Sequence, residues 1–191
     1  FDSKYDRFLN GDYQMTAREK RGYGLFFSDV TNCMNCHLLH RGTLSKREPF
    51  TDLQYHNIGV PRNQAILQEN LLGTSHVDYG LNENPKLSSP QNMGKFKTPT
   101  LRNIAVTPPY MHNGVFERLE TTIHFYNLHL IKNKSASINP ETKTEWERPE
   151  IPDNVEKKLL KLGQPLDTDR IHSIVSFLKL LTDARYEHLL K

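Results

Sequence analysis

Apolar positions along the chain fall into three helical patterns separated by long polar stretches. Thr16 followed by Glu19 has the spacing of a capping box, and Tyr23, Phe26 and Phe27 then supply an apolar face, so the spacing predicts a helix over about 17–28. Leu119, Ile123, Tyr126 and Leu130 recur at intervals of four, three and four and share one helical face. Asp167 is placed to cap a last helix whose apolar stripe is Ile171, Ile174, Val175, Leu178 and Leu181. Short helical pieces are expected near 63–72 and 100–105, and Asn32 as the cap of a short helix carrying His37. Strand signals are few and no internal repeat is visible. Residues 41–100 are rich in Pro, Gly, Asn and Ser, and such a long irregular span points to packing on a ligand. Residues 133–152 are polar, hold three prolines and the only Trp, and read as a surface excursion. The pattern predicts an all-α fold with long irregular loops.

Composition adds a reason for a ligand. The 191 residues suffice for one domain with a core. Yet only 36% are hydrophobic, 25% are charged and the mean hydropathy is -0.66, which is low for a globular domain. A large buried cofactor would bring its own apolar mass. The formal net charge is +3 with no Lys/Arg-rich run, so nucleic-acid binding has no support. No apolar stretch approaches the roughly 18 residues that span a membrane.

The cofactor is suggested by "TNCMNCHLLH", residues 31–40. It contains C-x-x-C-H, the pattern of covalent c-type haem attachment, with Cys33 and Cys36 forming the thioethers and His37 the proximal iron ligand. A redox C-x-x-C pair, a fragment of a zinc site or chance are the competing readings. A zinc site needs further ligands at close spacing, and only His124 and His129 offer any; a thioredoxin-like pair would want a βαβ context, which is absent. Both cysteines of the chain lie in this motif. Covalent haem is attached outside the cytoplasm, so a periplasmic or extracellular location is expected. The chain starts at Phe1 without a signal peptide and is read as mature, trimmed or truncated.

The far face of the iron has several candidate ligands. A Met thioether favours the reduced metal, a second His gives a lower potential, and a Tyr phenolate favours the oxidised metal. Spacing alone favours Met111 over Met93, because "PPYMHNG" is turn-rich and could aim a side chain inward. Core filling competes for each Met. A half-buried core position competes for Tyr126, and surface or hydrogen-bonded roles for His112, His124 and His129.

Three strings together resemble the C-terminal haem domain of the bacterial di-haem cytochrome c peroxidase and MauG family: "FLNGDYQMTAREKRGYGLFFSDVTNCMNCH", "FTDLQYHNIGVP" and "KFKTPTLRNIAVTPPYMHNGVFERLETTIHFYN". The resemblance runs from about Tyr5 to Leu181 and is weakest over 130–165. It implies that the Met of "PYMHNG" is not the ligand and that the residue at Tyr126 is. The peroxidase branch has Met there and the MauG-like branch has Tyr, so "HFYN" sides with MauG, with Met111 as the alternative.

The resemblance implies more. Calcium would take backbone carbonyls from Thr107 and Pro109, a rigid turn being the competing reading. Arg102 would pair with a haem propionate, against a surface role. Family members carry two haems, with the peroxide site in the N-terminal domain, whereas this chain has one C-x-x-C-H. Residues 1–15 would then be linker-like and 16–191 a single c-type haem domain. The implied function is a haem-c electron-transfer domain that stores or relays oxidising equivalents from a second haem domain or subunit, with a redox partner protein. This chain would then be part of an oxidoreductase and not an enzyme alone. The alternative is a stand-alone mono-haem electron carrier with His/Met ligation.

Overall fold

The computed structural model describes residues 1–39, 49–131 and 137–190. In chain order the helices are α1 (Lys4–Leu9), α2 (Ala17–Phe26), α3 (Gln64–Glu69), α4 (Leu119–Leu128), α5 (Lys157–Leu160) and α6 (Thr168–Lys179), with short 3₁₀ turns between them. Strands β1 (Tyr55–His56) and β2 (Phe96–Lys97) pair antiparallel, Tyr55 opposite Lys97. The fold is therefore helical and irregular with one minimal sheet, and not strictly all-α.

The chain divides into two compact units. The first comprises Phe1–Leu53, Thr98–Pro108 and Leu162–Lys191; the second comprises Gln54–Lys97 and Pro109–Lys161.

In the first unit, α2 begins at the expected capping box: Thr16 Oγ1 accepts from the Glu19 N–H, and the Glu19 carboxylate accepts from the Thr16 N–H at 2.7 Å. Helix α6 begins at Asp167, whose carboxylate accepts the Arg170 N–H at 2.8 Å. Ile171, Ile174, Val175, Leu178 and Leu181 are all buried, as the stripe requires. Helices α2 and α6 meet at Gly22, where a Cβ would overlap the Ser173 carbonyl oxygen. Their shared core is aromatic: Tyr5, Phe26, Phe50 and Phe177 are essentially fully buried, with Phe26 and Phe177 centroids 5.2 Å apart. Each such ring contributes roughly 1.5–3 kcal/mol by burial.

The N-terminal segment is packed into the first unit. Ser3 and Asp6 form a second capping box that starts α1, and Tyr5 is 1% exposed against Phe50 and Phe177. The signal was present in the sequence as S-x-x-D.

Polar cross-links run through the second unit. Asn63 Nδ2 donates to the Asn113 carbonyl at 2.9 Å, and Asn113 Nδ2 donates to the Pro61 carbonyl at 2.8 Å. Arg62 pairs with Glu150 at 3.0 Å, and His56 with Glu156 at 2.9 Å. Asn63 caps α3, inside the expected 63–72 piece. Within the mostly exposed polar stretch, the half-buried Trp146 stands edge-on to Phe116 at 5.6 Å and packs on Phe125 at 5.8 Å. Residues 133–136 of that stretch lie outside the described residues, as do residues 41–48 of the irregular span.

Candidate functional site

Cys33, Cys36 and His37 are brought together by a single tight turn. Asn32 does not cap it with its side chain; its backbone sits at φ 54, the left-handed region that Asn tolerates. That reversal starts a 3₁₀ turn over Cys33–Asn35, and the Cys33 carbonyl then accepts the N–H groups of both Cys36 and His37, the latter at 3.0 Å. Neither cysteine is in a disulfide. Burial pushes the Cys33 thiol up, and a hydrogen bond from Thr31 only partly offsets this, so Cys33 is a protonated thiol near neutral pH.

The His37 ring is oriented from behind. Its Nδ1 lies 2.9 Å from the Phe50 carbonyl oxygen. A carbonyl has no proton to give, so Nδ1 carries the hydrogen and the lone pair is on Nε2. This is the arrangement a metal-binding histidine needs: one nitrogen fixed by an acceptor, the other basic. Two thiols and such an imidazole on one turn fit the covalent attachment of haem c.

Tyr126 lies on α4 in the other unit and is 38% exposed. The predicted α4 face is only partly the buried one: Ile123 is buried, Leu119 half-buried, and Thr121, Phe125 and Asn127 are buried as well. The helix has no side-chain cap of its own at Arg118. Glu141 supplies one from a distant turn, its carboxylate accepting the Glu117 N–H at 3.1 Å and the Arg118 N–H at 2.7 Å.

Met111 is half-buried, with φ 70 in the "PYMHNG" turn. The neighbouring His112 ring stacks on Phe96 at 3.4 Å. Thr107 and Pro109 are exposed. Arg102 is not a surface residue: it is 5% exposed and grips Asp6 with both terminal nitrogens, at 2.9 and 3.1 Å. The fork expected for a propionate is engaged by a protein carboxylate. Phe50 and Glu141 escaped sequence reasoning, since a backbone acceptor and a cap in trans leave no local pattern.

No family model matches the chain. Over all 191 residues it is 46% identical to the methylamine utilization protein MauG of Paracoccus denitrificans, of which it covers 49%. It is 30% identical to a cytochrome-c peroxidase of Denitromonas iodatirespirans, with 86% of this chain and 46% of that protein aligned. The diheme peroxidase BthA of Burkholderia thailandensis matches 100% of this chain and 48% of its own at 31% identity, with a TM-score of 0.74. A MauG-like protein associated with microbial copper homeostasis matches 96% of this chain and 49% of its own at 28% identity, with a TM-score of 0.67. The chain spans about half the length of the relatives it matches. Among the described residues no helix is long and apolar enough to cross a membrane. The chain is a MauG-like C-terminal half and belongs to the di-haem cytochrome c peroxidase and MauG family.

Proposed function

We propose that this chain is the haem-c electron-transfer half of a MauG-like di-haem oxidoreductase. Cys33 and Cys36 would tether the haem, and His37 Nε2 and the Tyr126 oxygen are the protein atoms that would hold its iron. Bound haem supplies one-electron chemistry whose potential its axial ligands set. The observation that carries the reading is the His37 ring, fixed by the Phe50 carbonyl on the same turn as the two thiols. Tyr126 would contribute an anionic oxygen that favours the oxidised metal, which would suit this half to hold oxidising equivalents.

The second haem belongs to another domain or subunit, and the substrate to a redox partner protein in the periplasm or outside the cell. Thr107 and Pro109 are the calcium ligands of this reading, through backbone carbonyls. The stand-alone carrier with Met111 as ligand is not favoured by relatives that are MauG and di-haem peroxidases.

Absorption and EPR spectra of the haem-loaded chain, wild type against Tyr126→Phe and Met111→Leu, test the ligand set. Tyr126→Phe changes the ferric spectrum and Met111→Leu leaves it alone. An unchanged Tyr126→Phe spectrum overturns the Tyr assignment.

A further inference from the structure

Phe50 is an odd residue to hold the His37 proton. Its backbone lies at φ 53, in the left-handed region that costs a bulky residue steric energy. Its ring is nevertheless fully buried, edge-on to Tyr5 at 5.3 Å and beside Phe26 at 5.9 Å. Something must hold that conformation against its cost.

The holder is the segment Thr98–Arg102, part of the "KTPTLRN" string. It lies along Pro49–Thr51 and touches each residue in turn. Thr51 Oγ1 donates to the Thr98 carbonyl at 2.7 Å. Thr100 Oγ1 donates to the Pro49 carbonyl. The Arg102 guanidinium sits 5.2 Å from the Phe50 ring centroid, within cation–π range, and is locked there by Asp6. The residues engaged are alternate ones, as an extended strap with a two-residue repeat would place them. The Thr51 N–H donates to the Leu38 carbonyl at 3.2 Å, tying the strapped segment to the residue after His37.

We propose that Thr98–Arg102 is a positioning strap for the proximal ligand: it holds Phe50 in its left-handed conformation so that the Phe50 carbonyl fixes the His37 tautomer and raises the basicity of Nε2. Thr100 and Arg102 are positioning residues; they act through Phe50 and do not touch the metal. The inference rests on the assignment of His37 as a ligand and is independent of what occupies the far face. A stronger bond from Nδ1–H makes the imidazole a better donor and lowers the potential, so a slack strap raises it.

The test uses the full haem-loaded chain with ¹⁵N-labelled histidine. Thr100→Val removes one exposed hydroxyl with little change of shape. It speeds solvent exchange of the His37 Nδ1–H about five-fold, the equivalent of about 1 kcal/mol of lost hydrogen bonding. It also raises the midpoint potential, while the far-ultraviolet dichroism stays that of wild type. Thr100→Ser restores both values, and Arg102→Lys, which keeps the charge but loses the fork, moves them in the same direction as Thr100→Val. Unchanged exchange and potential in Thr100→Val overturn the proposal, as does a Thr100→Ser variant as perturbed as the valine. A His37→Ala chain that keeps the wild-type ferric spectrum overturns it through its premise, by removing the ligand assignment.

Discussion

Asp6 and Arg102 form a buried two-pronged ion pair, with Asp6 also accepting from the Ser3 hydroxyl at 2.6 Å and from the Ser3 N–H at 3.1 Å. The one carboxylate thus starts helix α1 and anchors the guanidinium that lies over Phe50.

Acid stability should report this pair. Burial alone would raise the Asp6 pKa, but the Ser3 hydrogen bonds and the Arg102 charge outweigh it, and the group ends below its ordinary value of 3.8. A carboxylate with a depressed folded pKa stabilises the fold above its unfolded pKa of about 3.9, and that contribution disappears as pH falls through the folded value. Urea unfolding at pH 7 should show Asp6→Ala destabilised by about 3–5 kcal/mol, since a buried guanidinium loses its countercharge. The gap between wild type and Asp6→Asn should narrow below about pH 4. A gap that stays constant down to pH 2 would show that the pair is not what the carboxylate contributes.

The crossing of α2 and α6 predicts a second outcome. Gly22 faces the Ser173 carbonyl and sits where a Cβ would come within 2.9 Å of the Phe177 Cβ. Helix backbone and a fully buried ring leave little room to yield. Gly22→Ala should therefore destabilise by more than about 2 kcal/mol, although alanine is the better helix former by about 1 kcal/mol. Gly24, with nothing near its would-be Cβ, is the control: Gly24→Ala should be neutral or stabilising in thermal unfolding.

The contrast between these sites explains what the amino-acid pattern could reveal. Thr16–Glu19, Asp167 and the Ile171–Leu181 stripe were legible because a cap and a helical repeat are local, and local spacing is what a sequence displays. The C-x-x-C-H spacing of Cys33, Cys36 and His37 is visible in the sequence for the same reason. Asn32 stands at the expected cap position, but its left-handed backbone and not its side chain makes the turn, and a sequence does not tell which of the two an Asn will use. The Arg102–Asp6 pair was not legible, because the two residues lie 96 apart in the chain. Trp146 was assigned to the surface because its flanks are polar, while the ring itself reaches Phe116 and Phe125.

That aromatic contact yields a prediction of its own. Phe116 and Phe125 are 1% and 3% exposed, and Trp146 covers both. Trp146→Ala should cost about 3 kcal/mol in chemical denaturation, within the range for removing a large ring from a packed site. Trp146→Phe, which retains an aromatic edge, should recover about half of that loss. Equal losses in the two variants would show that the ring stacking contributes nothing beyond bulk.

Glu141 offers the sharpest separation of stability from ligand geometry. Its carboxylate takes the Glu117 and Arg118 amides at the start of α4, and its own N–H is held by Asn139 Oδ1 at 2.8 Å. The cap therefore comes from a preorganised turn and not from the helix. Losing it should cost about 1 kcal/mol, as for other helix caps. It should fray the first turn of α4, which leads to Tyr126 two turns later. Glu141→Ala should lower the melting temperature and broaden the ferric EPR signal of the haem-loaded chain, as Tyr126 samples more than one position. Glu141→Gln, which can still accept through its amide oxygen, should keep the wild-type line shape with a smaller loss of stability. If Glu141→Ala is less stable but gives a wild-type EPR line, the cap holds the helix without holding the phenol, and Tyr126 takes its position from Ile123 and the rest of the α4 packing instead.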